Sequence, residues 1–530
     1  MSFECCGRTG HITLASQRFS KYFASYICEE HLQSQMSRTV SKILVANRGE
    51  IALRIMRSAR EMGIRTVAVY SEADRRAPHV LFADEAVFIG PAPSAESYLK
   101  GDRIINAAQN LGVDAIHPGY GFLSENAAFA EAVEEAGMIF VGPRPHAIRI
   151  MGDKLSAKAA VADFDVPLVP GSDGEVTDVD RAKELASEIG FPIMIKASAG
   201  GGGKGMRIVH NPEEFDAQME RAVSEATNSF GNGAVFVEKY IEDPRHIEIQ
   251  ILADEHGNVV HLFERECSIQ RRHQKVIEEA PSVILTAALR EAMGQAAVNV
   301  AKACDYRGAG TVEFIFEPGG KFYFLEMNTR LQVEHPVTEQ ITGIDLVKQQ
   351  LRIAEGHPLA FDQKSLTIQG HAIEVRVYAE NAAENFMPAT GKLHEYKRPQ
   401  GLGVRVDDGL EQGMEVSIYY DPMIAKLITF GADRTEAIAR MKRAISEYRI
   451  AGVQTTLDFA DFVMNHEAFV GGEFSTHFVE NYFSSSALQS EDAELEAVGA
   501  AAVANLLQGA KTNQSVVSHG KSSRWKTNRS

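Results

Sequence analysis

Two glutamates of this chain are predicted to face each other across a β-hairpin, where they could hold a metal ion. Residues 311–316 and 321–326 have strand character, and Glu-Pro-Gly-Gly at 317–320 joins them. If the two glycines form a two-residue turn, Glu313 pairs directly with Glu326. Opposed like charges destabilise a hairpin, and a hard divalent cation reverses the sign of that interaction. The pair predicts a Mg²⁺ site, against the alternative of a solvated polar face.

Polar side chains then occupy every second position, with threonine or apolar residues between them. The row consists of Glu326, Asn328, Arg330, Gln332 and Glu334. In an extended chain all five lie on one face. They supply a metal carboxylate, an amide, a guanidinium able to bind a carbonate-like anion through two hydrogen bonds, and a carboxylate able to accept its proton. This variety favours a catalytic site over a solvated strand.

A run of four glycines at 200–203 closely follows a predicted strand at 192–196. Such a loop exposes its backbone N–H groups to an anion. It is not a Walker A loop, which requires Ser or Thr after Gly-Lys, because Gly205 follows Lys204. A flexible linker is the alternative, but linkers rarely join two strands, and residues 206–209 have strand character. The run predicts a flap over nucleotide phosphates.

Two further segments offer polar groups but have equally simple structural interpretations. Residues 270–275, Gln-Arg-Arg-His-Gln-Lys, form a basic cluster in an acidic chain, and a surface salt-bridge patch is the alternative. The turn-rich segment 117–126 follows a short predicted strand, where α/β sheets place ligand groups. A structural turn with a helix cap at Ser124 is as consistent with it.

The elements that must position these groups indicate an α/β fold. From residue 42 a strand, a helix and a second strand form a βαβ unit, and alternation continues to about residue 150, which predicts an open parallel sheet. The first loop holds only Gly49 where a dinucleotide fingerprint needs three glycines, so a plain scaffold is favoured there. Turn residues near 165–172 begin a second, small unit, and a third with alternating strands runs from about residue 243 to 483.

Composition limits the class of protein. A length of 530 residues allows several domains, and 45% hydrophobic with 24% charged residues is ordinary globular composition. A formal charge of −17 argues against a nucleic-acid partner, and the lack of a long apolar run argues against a membrane partner. Three of five cysteines precede residue 40 and no CxxC occurs, which favours a reducing compartment. We expect a cytoplasmic protein, with an organelle as the alternative if residues 1–37 are a leader.

Together, segments 117–126, 196–206, 270–275 and 326–336 resemble biotin carboxylase of the ATP-grasp superfamily, over roughly residues 38–487. The resemblance implies an N-terminal preATP-grasp domain (38–150) and an ATP-grasp domain (151–370) with a mobile, glycine-rich B subdomain (169–241). A C-terminal biotin carboxylase domain (371–487) follows. Residues 1–37 are then an extension that we expect to be disordered, and residues 488–530 a partly disordered tail.

The resemblance also assigns residues to ligands. It implies Glu334 as general base, Lys275 near the transferring phosphoryl group, and Arg376 as the group that stabilises the enolate of biotin, with Arg330 as a fourth catalytic residue. The implied ATP-binding residues are Lys154, Lys196, Gly201, Gly202, Gly203, Lys204, Gly205, Met206, Glu238, Lys239, His246, Gln270 and His273. The implied ligands of Mg²⁺ or Mn²⁺ are Glu313, Glu326 and Asn328. The implied contacts of bicarbonate and biotin are Arg330, Gln332, Val333, Glu334, Tyr120 and Arg376.

The implied reaction consumes ATP. Bicarbonate attacks the γ-phosphate to give carboxyphosphate, and the CO₂ that this releases carboxylates a ring nitrogen of biotin. The family's biotin-attachment signature, a lysine between two methionines, does not occur in the 530 residues, so the biotin is expected on a separate biotin carboxyl carrier protein. A carboxyltransferase subunit of an acetyl-CoA, propionyl-CoA or pyruvate carboxylase is the second expected partner, and a homodimer the expected assembly. The alternatives are another ATP-grasp ligase, of the carbamoyl-phosphate-synthetase type, and a non-catalytic scaffold subunit.

Overall fold

The computed structural model describes residues 38–172, 174–176, 178–197, 206–230, 233–488, 498–499 and 502–504. The predicted extension at 1–37, most of the tail after 488, and the phosphate-loop residues Gly201, Gly202, Gly203, Lys204 and Gly205 lie outside the described residues. Within the described ranges, no helix has the length and apolar character needed to cross a membrane. Three larger sheets, with helices packed on them, position the predicted site.

A five-stranded parallel sheet begins this fold, in the order β3-β2-β1-β4-β5. Leu44 on the central strand packs into one apolar cluster, while Ile43 and Val45 pack into another, because helices cover both faces of the sheet. The predicted open parallel sheet is thus confirmed. Its elements are β1 (Lys42–Val45), α1 (Gly49–Glu61), β2 (Arg65–Ser71), α2 (Pro78–Phe82), β3 (Glu85–Gly90), α3 (Gly101–Asn110), β4 (Ala115–His117), α4 (Ala127–Glu135) and β5 (Ile139–Phe140).

The loop after β4 is held against the loop after β1. Asn47 donates hydrogen bonds from Nδ2 to the carbonyls of Pro118 (2.7 Å) and Tyr120 (2.8 Å). Gly119 lies between them with φ +67°, and a Cβ added there would lie 2.9 Å from Asn47 Nδ2. Glycine is therefore required both by the backbone angle and by the close approach of Asn47.

A small antiparallel sheet, in the order β7-β6-β8, forms a separate layer with its own core. Ile195 and Val237 on neighbouring strands are fully buried against Phe215 of the helix that follows β7. The strands predicted at 192–196 and 206–209 are both present. The elements of this part of the chain are α5 (Pro145–Gly152), α6 (Lys154–Val161), α7 (Val179–Ile189), β6 (Ile193–Ala197), β7 (Met206–Val209), α8 (Phe215–Phe230) and β8 (Val235–Lys239).

An eight-stranded antiparallel sheet, in the order β13-β12-β9-β10-β11-β14-β21-β19, carries most of the predicted site residues. It continues across residue 370, because β11 and β14 pair directly through Ile277 and Val375. Its elements and the helices between them are β9 (Arg245–Ala253), β10 (Val259–Arg271), β11 (Gln274–Ala280), α9 (Ala287–Ala303), β12 (Gly308–Phe316), β13 (Phe322–Asn328), α10 (His335–Thr342), α11 (Leu346–Ala354), β14 (His371–Tyr378), β19 (Val404–Asp408) and β21 (Met423–Gly431).

The remaining described elements pack against β14 and β21 around Met441, Phe459 and Phe478, all of which are fully buried. The short strands pair as β15 with β16, β17 with β20, and β18 with β22. The elements are β15 (Glu380–Asn381), β16 (Met387–Pro388), β17 (Gly391–Lys392), β18 (Glu395–Lys397), β20 (Glu415–Val416), α12 (Arg434–Glu447), β22 (Arg449–Ala451), α13 (Leu457–Asn465), α14 (Glu467–Gly471) and α15 (Phe478–Tyr482).

The hairpin of β12 and β13 places Glu313 opposite Glu326, but not through the predicted turn. The loop has three residues, 318–320, since the N–H of Glu317 donates to the carbonyl of Lys321 at 2.7 Å. Near the loop the strands therefore pair one residue out of the predicted register, and a bulge at 325 restores it. The two-residue turn is wrong because proline at 318 has no N–H to contribute to strand pairing. The predicted pairing of the two glutamates is nevertheless present.

Candidate functional site

A cavity of about 730 Å³ lies between the carboxyl ends of the parallel sheet, the eight-stranded sheet and residues 414–423. Side chains from all three parts line it. The predicted residues that it brings together are Tyr120, His246, His273, Lys275, Glu313, Glu326, Asn328, Arg330, Gln332, Val333 and Arg376. Glu334 lies directly beneath the lining, fully buried, and contacts two of these side chains.

Lys275 forms ion pairs with three buried carboxylates. Its Nζ lies 2.5 Å from Glu248 Oε2, 2.8 Å from Glu313 Oε1 and 2.7 Å from Glu334 Oε1. The two-residue turn at 272–273, with φ of 50° and 66°, reverses the chain from β10 into β11 and brings Lys275 to the cavity. Burial opposes its charge, but the three carboxylates raise the pKa of Lys275 well above the usual value. The ammonium therefore stays charged between all three.

Glu313 is held in the ionised form by the groups around it. Asn328 Nδ2 donates to Oε1 at 2.8 Å and Gln332 Nε2 donates to the same oxygen at 3.1 Å. His246 Nε2 lies 2.9 Å from Oε2. Burial opposes ionisation, but Lys275 and His246 together hold the pKa of Glu313 far below that of a free glutamate.

Glu326, on the opposing strand, has surroundings that oppose its ionised form. Burial and the negative charge of Glu313 raise the pKa of Glu326 above the usual value. A divalent cation between the two would remove this repulsion, and hard carboxylate and amide oxygens are the ligands that Mg²⁺ prefers. Glu313, Glu326 and Asn328, which come together at this end of the hairpin, therefore fit a magnesium ion.

Glu334 lies between two cations. Lys275 Nζ is 2.7 Å from one carboxylate oxygen and Arg376 Nη2 is 2.9 Å from the other. Burial would raise the pKa of Glu334, but Lys275, Arg376 and Arg265 lower it well below the usual value. The carboxylate is thus ionised at neutral pH, which is the form that a general base requires.

The predicted row of alternating polar residues is not one strand. β13 ends at Asn328, and Glu334 is the residue before helix α10, with φ −81° and ψ 11°. The prediction of an extended chain through residue 334 is wrong beyond Asn328. Pro336, in the first turn of α10, favours the start of a helix at this point. The polar side chains still meet. Arg330 donates to Gln332 Oε1 at 3.0 Å and to Asn328 Oδ1 at 3.1 Å.

Segment 117–126 lines the cavity with Tyr120, Gly121 and Phe122, and its Glu125 contacts a lining residue. Glu125 Oε2 accepts a hydrogen bond from Arg330 Nε at 2.8 Å, which fixes the guanidinium. Tyr120 donates its hydroxyl proton to Glu50, and burial together with that carboxylate raises the pKa of Tyr120 well above the usual value. The functional interpretation of this segment, rather than a purely structural turn, is the one that its contacts favour.

Some of the predicted ATP-binding residues lie on the small sheet. Lys196 on β6 donates to Glu238 Oε2 on β8 at 2.5 Å, and Lys158 of α6 donates to the other oxygen. Burial opposes the charge of Glu238, but the two lysines lower its pKa below the usual value. Lys239 donates to the carbonyls of Gly190 and Phe191, at 2.9 and 3.1 Å.

The other predicted nucleotide contacts are more dispersed. Lys154 is the exposed first residue of α6, and Met206 is the half-buried first residue of β7. His273 lines the cavity. Gln270 does not line it, since its Nε2 donates to the carbonyl of Cys267 at 2.8 Å.

Several residues that contact the site were not predicted. Glu248 carried a readable signal, because polar residues at 246, 248 and 250 alternate with isoleucines at 247, 249 and 251, the same two-residue period as the row at 326–334. Lys158 is one helical turn after Lys154. Lys426, fully buried, donates to the carbonyl of Val333 at 2.9 Å and lies 3.3 Å from Glu50. Lys426, Val333 and Glu50 come together only in the folded chain, so no local sequence pattern could have predicted their contacts.

Profiles of known families match most of the chain. Residues 39–148 match "Biotin carboxylase, N-terminal domain", residues 153–361 match "Carbamoyl-phosphate synthase L chain, ATP binding domain", and residues 374–481 match "Biotin carboxylase C-terminal domain". Together the three matches follow the order in which the sheets occur along the chain.

Individual relatives are similar over the same region. Biotin carboxylase 1 of Bacillus subtilis is 54% identical over 444 residues, which are 84% of this chain and 99% of the relative. Biotin carboxylase of Halalkalibacterium halodurans is 54% identical over 441 residues, 83% of this chain and 97% of the relative. A crystal structure of the biotin carboxylase domain dimer of Hydrogenobacter thermophilus 2-oxoglutarate carboxylase, in complex with MgADP, ADP and bicarbonate, is 48% identical with a TM-score of 0.78. That match covers 84% of this chain and 98% of the crystallised one.

Proposed function

The chain belongs to the biotin carboxylase family, and from this membership and the geometry of the cavity we propose how its residues carry out the family's reaction. It is an ATP-dependent ligase that uses bicarbonate and Mg²⁺ to carboxylate biotin. A bicarbonate oxygen attacks the γ-phosphorus of ATP, which forms carboxyphosphate and releases ADP. Carboxyphosphate then breaks into CO₂ and phosphate, this phosphate accepts the proton of the biotin ring nitrogen, and the nitrogen forms a bond to the carbon of CO₂.

Glu334 is the proposed general base for the first step. Its carboxylate is ionised and fixed by Lys275 and Arg376, so it can take the proton of bicarbonate as the oxygen becomes a nucleophile. The proton then neutralises the Glu334 carboxylate. Lys275 and Arg376, which remain beside that carboxyl group, limit how strongly it holds the proton. This role is supported by the burial of Glu334 directly beneath the cavity lining.

Arg330, Gln332 and the backbone at Val333 are the proposed bicarbonate contacts. Arg330 is held by hydrogen bonds to Glu125, Gln332 and Asn328, which leaves its planar guanidinium at the cavity wall in a fixed orientation. A guanidinium so oriented can bind a carbonate-like anion through two parallel hydrogen bonds. Because bicarbonate is then fixed beside Glu334, the two groups need not meet by diffusion and the proton moves over a short distance.

Arg376 is proposed to stabilise the negative charge that biotin acquires when its ring nitrogen loses a proton. Its guanidinium lines the cavity and is held by Glu278 Oε1 at 2.6 Å and by Glu334 Oε2 at 2.9 Å. A preorganised cation in a poorly hydrated site stabilises a developing oxyanion strongly. Tyr120, on the facing loop, is the proposed second contact of biotin.

The phosphate side of the reaction is assigned to the hairpin and the small sheet. Glu313, Glu326 and Asn328 would hold Mg²⁺, which when bound neutralises the phosphate oxygens during transfer. Lys275, whose Nζ is 2.8 Å from Glu313 Oε1, is proposed to lie near the transferred phosphoryl group. The proposed nucleotide contacts are Lys154, Lys196, Gly201, Gly202, Gly203, Lys204, Gly205, Met206, Glu238, Lys239, His246, Gln270 and His273.

The observation that carries this assignment is the position of Lys275 between Glu313 and Glu334, at 2.8 and 2.7 Å. The test is transfer of radiolabel from bicarbonate to free biotin by the purified protein with ATP and Mg²⁺. Label in biotin is the expected result. Label transferred to an amine, as in a ligase of the carbamoyl-phosphate-synthetase type, or no turnover, as in a scaffold subunit, would contradict it.

We further propose that the biotin is carried by a separate biotin carboxyl carrier protein, with a carboxyltransferase subunit that fixes the final acceptor. The stand-alone Bacillus subtilis relative, 99% of which is covered, and the dimeric Hydrogenobacter thermophilus domain support this arrangement and a homodimer. The proposed functional regions are 38–150, 151–370 with the B subdomain 169–241, and 371–487. The cytoplasm is the proposed compartment, supported by the free thiols of Cys267 and Cys304.

A further inference from the structure

Two glutamates that are given no chemical step in the proposed reaction, one of them the anchor of Arg376, lie side by side in the buried part of the sheet next to the site. Glu278 of β11 and Glu374 of β14 are direct partners in the antiparallel pairing of these strands, and both are fully buried. Cross-strand partners have their Cβ atoms about 5 Å apart on the same face of the sheet. The two carboxyl groups are therefore neighbours.

Their oxygens are incompletely bonded. Neither oxygen of Glu374, nor Oε2 of Glu278, has a hydrogen-bond partner among the described residues. An ionised carboxylate buried without donors is very unfavourable, whereas a protonated carboxyl carries its own donor. A single proton shared by the pair would join one oxygen of Glu374 to Glu278 Oε2, and would leave one of these three oxygens open instead of three.

The surroundings indicate which glutamate holds that proton. Glu278 Oε1 accepts a hydrogen bond from Arg376 Nε at 2.6 Å, which stabilises its charged form, although burial and the charge of Glu334 still raise the pKa of Glu278 to about 7. Within the described part of the chain no cation donates such a bond to Glu374, and Ile428 of β21 is its partner on the other side. Ile428 belongs to an apolar cluster with Ala372, Val337 and Ile341, and this cluster favours an uncharged neighbour.

Charged groups on the packed elements do not change this assignment. Lys426 of β21 is bonded to the carbonyl of Val333 and lies 3.3 Å from Glu50, so its ammonium is occupied. His335 of α10 is neutral, because burial and nearby cations lower its pKa well below the usual value. Glu334 and Glu278 add negative charge near Glu374. Burial, Glu278 and Glu334 raise the pKa of Glu374 well above that of a free glutamate, although Lys426 and Arg376 act in the opposite direction.

We propose that Glu374 is a buried carboxylic acid that donates a hydrogen bond to Glu278, and that this pair positions Arg376 for the biotin step. The reason is that Glu278 is the main anchor of Arg376 besides Glu334. A proton donated by Glu374 to Glu278 Oε2 fixes the orientation of the Glu278 carboxylate. It also weakens the attraction between Glu278 and Arg376, so the Arg376 guanidinium stays available to the enolate of biotin. Glu374 is thus a positioning residue, and its effect on turnover rests on the proposed function of Arg376.

Infrared difference spectroscopy tests the protonation without any catalysis. The wild-type chain at neutral pH should show the carbonyl-stretch band of a protonated carboxylic acid, and Glu374→Gln should lack it. A wild-type minus Glu374→Gln difference spectrum without this band would overturn the proposal, since bands of other carboxyl groups cancel in the difference. Because this measurement needs no turnover, it separates failure of the proposal from failure of the proposed function.

Thermal unfolding against pH gives an independent readout. The folded protein keeps a proton on Glu374 that the unfolded chain releases above about pH 4.3, so the wild type loses stability as pH rises. Glu374→Gln does not bear this cost, and its melting temperature relative to wild type should rise between about pH 5 and pH 8. A flat or falling difference would overturn the proposal.

The matched control is Glu279, the next residue on β11. It is equally buried but accepts hydrogen bonds from His371 Nε2 and Arg434 Nε, both at 2.7 Å. Burial opposes ionisation there, yet those two partners lower the pKa of Glu279. Its charge therefore adds stability that is lost only as pH falls below about 4.3, so the stability of Glu279→Gln relative to wild type should be flat between about pH 5 and pH 8 and should improve only at lower pH.

The positioning role is tested by kinetics with free biotin. Glu374→Leu removes the donor, and kcat for biotin carboxylation should fall about tenfold with little change in the KM for ATP. Glu374→Gln, whose amide can donate to Glu278, should restore most of that loss. Equal loss in both variants, or none in either, would overturn the positioning role, and if Glu374→Leu does not fold, the Gln variant and the infrared band still decide the protonation.

Discussion

Lys275 Nζ and Glu334 Oε1 lie 2.7 Å apart at the floor of the cavity, and the glutamate has no exposed surface. The same ammonium lies 2.8 Å from Glu313 Oε1. One cation thus contacts both the carboxylate proposed to hold the metal and the carboxylate proposed to remove the proton of bicarbonate. Phosphoryl transfer and bicarbonate activation are therefore expected to occur within the reach of a single side chain.

Replacing Glu334 by Gln should reduce bicarbonate-dependent ADP release by about 100-fold or more, because a general base is lost. Nucleotide affinity, measured by calorimetry, should change little. Since Lys275 and Arg376 hold the pKa of Glu334 well below the usual value, wild-type kcat/KM for bicarbonate should not fall through protonation of Glu334 down to about pH 5.5.

The control for that variant is Glu339→Gln, on helix α10, which begins directly after Glu334. Glu339 is also buried and is bonded to two arginines, Arg54 at 2.5 Å and Arg405 at 2.8 Å, but it does not line the cavity. It should lose stability and keep its turnover per folded molecule. Retained turnover in Glu334→Gln would show that another group is the base.

Replacing Glu326 by Ala should weaken the dependence on Mg²⁺. One of two opposed carboxylates is lost, so the midpoint of a Mg²⁺ titration of turnover should move about tenfold higher. The control is Glu317→Gln at the loop end of the same hairpin, where the Glu317 carboxylate accepts a hydrogen bond from Tyr323 Oη at 3.1 Å. That variant should leave the midpoint in place. An unchanged Mg²⁺ midpoint in Glu326→Ala would mean that the hairpin does not hold the metal ion.

Replacing Glu125 by Gln should raise the KM for bicarbonate about tenfold, because Arg330 loses a charge-assisted hydrogen bond that orients it. Glu131→Gln is a close control. Glu131 also pairs with an arginine, Arg149, and its side chain is 42% exposed against 41% for Glu125. Equal KM values for bicarbonate in the two variants would mean that Arg330 does not contribute to bicarbonate binding as proposed.

Replacing Gly119 by Ala should destabilise the protein by roughly 2–3 kcal/mol, since both the positive φ and the approach of Asn47 oppose a Cβ. Gly112→Ala has a similar φ of +60°, and no atom of the described residues lies within 4 Å of its added Cβ, so it should cost only about 1 kcal/mol. Denaturant unfolding measures both. A Gly119→Ala cost no greater than the control would mean that Asn47 does not hold this loop.

The elements of the fold were largely predictable, because hydrophobic periodicity and turn residues act locally. The parallel sheet from residue 42 and the strands on both sides of the glycine run follow from such patterns. The hairpin shows where this fails. The pairing of Glu313 with Glu326 is correct, but it results from a three-residue loop and a bulge whose register shifts cancel, and no local pattern reports that bulge.

The site was only partly predictable, since much of it depends on long-range contacts. Glu248 could have been found from the two-residue period of β9. The contacts of Lys426 with Val333 and Glu50, and of Glu125 with Arg330, join residues 93 to 376 positions apart, so they exist only in the folded chain. Glu334 meets Lys275 because a helix begins beside it, and the assumption of an extended chain missed that turn.

The most direct test of the account is bicarbonate-dependent ADP release by the purified protein at saturating Mg-ATP, measured with and without free biotin. If the cavity carboxylates biotin, turnover should need bicarbonate, should be stimulated by biotin and should be lost in Glu334→Gln. Turnover that biotin does not change, or no turnover from folded protein, would contradict the assignment of the cavity to biotin carboxylation.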